Sequence, residues 1–215
     1  MSWSSGKDSA FALFEARRRG LADVVGILTT INSVHNRVAM HGVRNDLLDR
    51  QIAALRLPAI KVPLPSPCSN VVYEACMAAA CVQMKAQGVD QIIFGDLFLE
   101  DIRRYRIEKL MAAGIEPVFP LWKRDTEALV REMISTKLEA YLTCVDPKKM
   151  DRAFAGRRFD ESLLHDLPTG IDPCGENGEF HTVVTAGPMF AAPIPVRAGE
   201  VVERDGFVFA DFVPV

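Results

Sequence analysis

The chain has 215 residues, with 25 Lys and Arg against 28 Asp and Glu and a formal net charge of −3. That length holds one large domain or two small ones with a real core, and near-balanced charge leaves no electrostatic footprint of a nucleic-acid binder. Neither a signal peptide nor a membrane-spanning run is expected, and five cysteines, odd in number and mostly in apolar stretches, point to a reducing cytoplasm.

Only Met1-Ser2-Trp3 precede the first motif, Ser4-Ser5-Gly6-Lys7-Asp8-Ser9. This small, polar, flexible turn runs into Ala10-Phe11-Ala12-Leu13-Phe14 and reads as a loop capping a helix. Successive N–H groups in such a turn form an anion-binding nest, and the helix behind it adds positive dipole. Gly6 lets the backbone approach a bulky anion, Lys7 neutralises charge, and Ser4 and Ser9 offer hydroxyls. Asp8 stands where a Walker A loop has Ser or Thr, so the expected anion is a phosphate or pyrophosphate held by a different loop. On these residues alone, simple N-capping explains the pattern equally well. The absence of a full strand before Ser4 leaves two options: a missing strand, or a sheet that manages with a stub.

Val24 to Thr30 is a β-branched run of the kind a buried parallel strand shows. A helical pattern follows over Val43 to Leu55, a strand over Ala59 to Val62, and a long helix from Asn70 to Gln87 closed by Gly88. Within it, Ala78 to Ala80 read as buried helix, and Cys76 and Cys81 lack zinc spacing. Gln91 to Phe94 is another buried strand, ending at Gly95-Asp96, and Ile102 to Ala113 is a helix stopped by Gly114. Arg17 to Arg19 and Arg103-Arg104 read as solvated charge. This alternation predicts an α/β fold, a Rossmann-like open parallel sheet with helices on both faces, whose ligands bind at the C-terminal strand ends. The Ser4–Ser9 loop and Gly95-Asp96 both fall there.

After Pro120-Leu121-Trp122 the character changes, which sets a boundary between residues 1–122 and a smaller α+β domain, 123–215. Asp125 caps a helix to Lys137, an apolar stretch covers Ala140 to Val145, and the tail forms a hairpin turning at Asp205-Gly206. Between them, Asp172-Pro173-Cys174-Gly175-Glu176-Asn177-Gly178-Glu179-Phe180-His181-Thr182 packs three acids, an amide, a histidine and two glycines into eleven residues. Such a turn can bind a cation, hold an amine or act as base; alone, it reads better as a polar surface loop before a strand. Cys174 has no identifiable histidine partner and reads as a bystander.

The first motif resembles the SGGxDS loop of the PP-loop ATP pyrophosphatases, with Ser5 where glycine is usual, so a left-handed Ser5 is expected to be mildly strained. Gly95-Asp96, Arg104 with Arg106-Ile107-Glu108, Pro120-Leu121-Trp122, Gly156-Arg157 and Gly175 to Thr182 follow in order. Together they resemble the diphthine–ammonia ligase family, whose late motif reads like GExGEyxT. That resemblance implies adenylation of a carboxylate by ATP, transfer of ammonia, and release of AMP and pyrophosphate. It implies an ATP site at Ser4, Ser5, Gly6, Lys7, Asp8, Ser9, Thr30 and Gly95, and Mg²⁺ at Asp8 and Asp96. Lys7, Glu176 and Glu179 are the expected catalytic residues, the glutamates recruiting ammonium and removing its proton. Arg104, Asn177, Gly178, His181 and Thr182 are expected to meet the substrate. The implied acceptor is a carboxylate on a modified histidine of the translation elongation factor, where the source is archaeal or eukaryotic. Self-association into a homo-oligomer stays open. So do two alternatives: a nucleotide-binding sensor without turnover, and another PP-loop enzyme such as a tRNA-modifying one.

Overall fold

The computed structural model describes residues 1–215. Its first half alternates as expected: α1 (Lys7–Arg18), β1 (Ile27–Asn32), β2 (Arg37–Val38), α2 (Asn45–Leu55), β3 (Ala59–Leu64), α3 (Asn70–Ala86), β4 (Gln91–Ile93), α4 (Glu100–Ala112) and β5 (Glu116–Val118). β1 pairs in parallel with β3, and β4 with β5, while the short β2 runs antiparallel to β1. β1 starts at Ile27, not at Val24. The Ile27 N–H donates to the Pro58 carbonyl, and Pro58 has no N–H of its own with which to extend the ladder backwards.

The stub of Met1 to Trp3 is the keystone of this sheet. Leu28 donates to the Met1 carbonyl at 2.8 Å and Trp3 donates to Leu28 at 2.7 Å, while on the other side Ser2 donates to Ile93 at 2.9 Å. These three residues therefore join β1 to β4, and the edge of β1 that a missing strand would have exposed is covered.

The second half holds α5 (Thr126–Ser135), β6 (Glu139–Val145), α6 (Glu161–Asp166), β7 (Phe180–Ala186), β8 (Val196–Arg204) and β9 (Phe207–Pro214). Asp125 caps α5 by accepting from the Ala128 N–H. The strands form an antiparallel sheet in the order β7-β6-β9-β8. Asp205 and Gly206 both take positive φ (52° and 80°), the backbone of a tight hairpin between β8 and β9.

Helices α3 and α4 cover one face of the parallel sheet through Ala80, Cys81, Met84 and Leu110. On the other face α1 packs between β4 and β7, and α2 packs against β9. One apolar cluster thus runs from Trp3, Phe11 and Leu47 into Phe180, Val183 and Phe212, so the antiparallel sheet lies over α1 and α2. Two expectations fail here. α3 buries little beyond Ala80, Cys81 and Met84, and Ala78 and Ala79 are exposed, because only one flank of the helix reaches the sheet. Arg103 is not solvated charge; its guanidinium stacks on Phe119 and Trp122, 5.3 and 4.9 Å from the ring centroids. No helix is long and apolar enough to cross a membrane, and all five cysteines are unpaired.

Candidate functional site

The loop before α1 turns at Ser5, which is fully buried with φ +69°, the left-handed backbone expected there. The second half of the chain holds this turn in place. The Ser5 carbonyl accepts from Val184 of β7 at 2.9 Å and from the Gln51 amide of α2 at 3.2 Å. Gln51 in turn accepts from the Trp3 indole at 3.1 Å. Ser4 and Ser9 close the loop on itself with their hydroxyls 3.2 Å apart. The Lys7 N–H is taken by the Thr182 hydroxyl at 3.0 Å, which removes it from any nest this loop could offer an anion.

Lys7 does not project freely into solvent, as a simple charge neutraliser would. Its ammonium is buried, 2.9 and 3.0 Å from the two Asp8 oxygens, bonded to the Cys174 carbonyl, and placed over the Phe180 and Phe159 rings. Burial works against the charge, but Asp8, with support from Glu176, keeps the Lys7 pKa above its usual value. The side chain ties the first loop to the Cys174–Glu176 turn. Cys174 is buried and burial pushes its thiol far up, in keeping with a bystander.

Gly95 and Asp96 sit at the end of β4, and Gly95 lies against the Asp8 backbone. Arg106 of α4 pairs with Asp96 at 2.8 Å (Nε to Oδ2) and 3.1 Å, and lies 4.2 Å over the Phe94 ring. The shorter contact is an ion pair without hydrogen-bond alignment, leaving the buried Asp96 Oδ2 and Arg106 Nε unsatisfied. Burial raises the Asp96 pKa, Arg106 opposes that, and Asp8 adds to it.

Glu176 reaches over from the second half and accepts from the Leu97 N–H at 2.8 Å. Burial lifts its pKa to about 7, with Asp8 and Asp96 adding and the Leu97 bond opposing. Glu179 behaves differently. Its Oε1 accepts from the Asp172 N–H and the Asn177 amide, at 3.2 and 3.1 Å, and so braces the turn from inside, with Oε2 buried and unpaired.

These elements open into one cavity of about 1120 Å³ at the C-terminal ends of the parallel strands. It brings together Ser4, Lys7, Asp8, Ser9, Thr30, Gly95, Asp96, Glu176, His181 and Thr182. Ser5 and Gly6 shape the loop without lining the cavity. Glu179, Asn177 and Gly178 do not line it either, because the turn directs Glu176 inward and spends Glu179 on its own support. Arg104 is misplaced in the sequence reading: it is exposed on α4, pairs with Asp101, and faces away. Arg106, two residues on, is the arginine that lines the cavity. Sequence reasoning also missed Gln51 and His41, the latter packed against Gly6 so closely that any Cβ there would strike its ring. Single polar residues on a helix or a short loop carry no motif that would have found them.

A parallel sheet whose first loop wraps a helix N-terminus, with strand ends open to one large cavity, defines an α/β nucleotide-binding protein carrying a smaller antiparallel unit. The chain belongs to the diphthamide synthase family: the model of the family's N-terminal domain matches residues 1–115, and that of its C-terminal domain residues 125–209. A diphthine–ammonia ligase of Bos taurus is 26% identical over 96% of this chain and 85% of that protein. Ligases of the same name from Danio rerio and Homo sapiens are each 34% identical, over 57% and 52% of this chain. Those two alignments span only 50% and 44% of the relatives' own length. The named relatives are ligases that form a carbon–nitrogen bond, and the PP-loop resemblance agrees with that family.

Proposed function

We propose that the protein activates a carboxylate with ATP as an acyl adenylate and transfers ammonia to it, releasing AMP and pyrophosphate. The observation that carries this reading is the convergence of the Ser4–Ser9 loop, Gly95-Asp96 and Glu176 on one cavity. The acceptor class is the one in the relatives' name, a diphthine carboxylate, presented on a protein such as the translation elongation factor.

A carboxylate resists ammonia because its oxygen is a poor leaving group; as a mixed anhydride it loses AMP readily. ATP fits with its phosphates at the N-terminus of α1 and its base toward Leu28 to Thr30. Lys7 is already neutralised by Asp8, so the charge growing on departing pyrophosphate is met by the Asp8 and Ser9 N–H groups and by Arg106. Asp96 orients that arginine. Glu176, half-ionised near neutrality, suits the proton acceptor of the ammonia step.

Asp8 and Asp96 offer hard oxygen donors whose mutual repulsion a cation would relieve. No three acidic, His or Cys side chains sit close enough to hold a metal unaided. That donor set fits Mg²⁺ shared with substrate phosphates, where it would neutralise phosphate charge. Glu179, Lys7 and Thr182 act here as supports of the two loops.

The test is product analysis with ATP, ammonium and a diphthine-bearing acceptor. AMP and pyrophosphate, formed together with the amide, are expected. ADP and phosphate would overturn the reading, and tight ATP binding with no acceptor-dependent turnover would favour a sensor.

A further inference from the structure

A second cavity, of about 280 Å³, lies beside the first, and the reaction above makes no use of it. It runs from an exposed rim at His35, Arg204 and Asp205 to a buried floor at Cys144 and Ala210. The two cavities share Asn32, Val38, Ala39, Met40 and His181, so His181 belongs to the wall between them. His181 reaches that place because it stands opposite Cys144 in the β6–β7 ladder.

On the side of the large cavity, the His41 ring packs on His181 with centroids 4.7 Å apart. His41 Nδ1 lies 2.8 Å from the Thr182 carbonyl oxygen. A carbonyl only accepts, so Nδ1 carries the hydrogen and Nε2 keeps its lone pair. Burial holds both rings neutral: it lowers the His41 pKa and takes His181 down to about 3, with His41 and Lys7 adding to the latter.

We propose that the second cavity is the entrance for ammonia, and that the His41–His181 pair holds the molecule by accepting its N–H groups on the way to the activated carboxylate. The inference rests on the ligase reading and adds a route to it. Once nucleotide and acceptor fill the large cavity, the small nucleophile needs its own way in. The second cavity is too small for a nucleotide and leads to the wall beside the phosphate loop. Ammonia offers three N–H donors and one lone pair. Neutral imidazoles match the donors and leave the lone pair free for attack. The pair carries no negative charge to hold ammonium, so nothing in the wall itself retains the unreactive cation.

Two measurements test this together. The first is a titration of protein carrying ¹⁵N-labelled histidine with ammonium chloride at fixed pH, against sodium chloride, reading the ring nitrogens. Saturable shifts at His41 and His181 with the ammonium salt only are expected. The second is the KM for ammonium in Val202→Trp, which narrows the mouth from the exposed face of β8, and in His181→Phe, which keeps the ring but removes its nitrogens. His181→Phe should raise that KM at least about tenfold, the worth of one lost hydrogen bond, and Val202→Trp should raise it by obstructing entry, while the KM for ATP moves less than about twofold in both. Shifts without amide formation would uphold the site and sink the ligase reading. Amide formation with no ring shifts and an unchanged ammonium KM in both variants would overturn the entrance.

Discussion

A Cβ on Gly95 would stand 2.7 Å from the Asp8 carbonyl carbon and 2.8 Å from the Ser9 nitrogen, so the Ser4–Ser9 loop and the end of β4 meet backbone to backbone. Neither side can swing away as a flexible side chain would. Gly95→Ala should therefore displace the loop, and with it the N–H groups we propose meet phosphate. Calorimetric titration should show ATP affinity falling at least about tenfold, the equivalent of one charge-assisted contact. Unchanged affinity would place the phosphates elsewhere.

Ser5 is the opposite case. Its left-handed backbone costs a non-glycine residue about 1 kcal/mol, and its buried hydroxyl has no partner. Ser5→Gly removes both penalties, against a smaller entropic cost of glycine in the unfolded chain. The variant should melt at the same temperature or higher. A clear fall would mean that the hydroxyl has an unrecognised role.

The alternation of strands and helices in the first half and the Asp205-Gly206 turn were legible because each rests on local chemistry: β-branched runs, glycine stops, a two-residue turn. The loop at Ser4 to Ser9 and the glutamate at 176 were legible as motifs. What escaped were relationships between distant segments. Met1 to Trp3 are too few to show a strand pattern, yet they complete the sheet through partners at Leu28 and Ile93. Arg104 and Arg106 differ by two helical positions, and only the direction of α4 against Phe94 decides which one meets Asp96. Glu176 and Glu179 share one turn, but the fold of that turn alone sends one carboxylate inward and the other to the Asp172 N–H.

That distinction between arginines gives a paired experiment. Arg106→Ala removes the cation beside the phosphate loop and strands Asp96, whereas Arg104→Ala removes only an exposed pair with Asp101. Pyrophosphate formation should slow by about 10²- to 10³-fold in the first, the loss expected of one group stabilising developing charge. In the second it should stay within about twofold, since surface pairs contribute little. Equal effects would show that the sequence reading of Arg104 had been right after all.

Glu176 couples stability to pH in a direction opposite to most surface carboxylates. Its folded pKa is lifted from 4.5 to about 7, first by burial and then by Asp8 and Asp96, against the Leu97 hydrogen bond. The stability linked to its proton is therefore present in full below the unfolded value and is lost as pH rises through about 7. Glu176→Gln keeps an oxygen for the Leu97 N–H and never takes a charge. In the presence of a chelator, wild type and variant should melt together near pH 5, and the variant should melt higher by roughly 3 °C or more at pH 8. Activity should move the other way. With the concentration of free ammonia held constant across the pH range, wild-type amide formation should climb through about pH 7 as the carboxylate ionises, and the glutamine variant should lose about 10²-fold or more and lack that limb. A variant less stable than wild type at pH 8 would mean that a partner favours the Glu176 charge, and an unchanged pH–rate profile would remove Glu176 from the proton transfer.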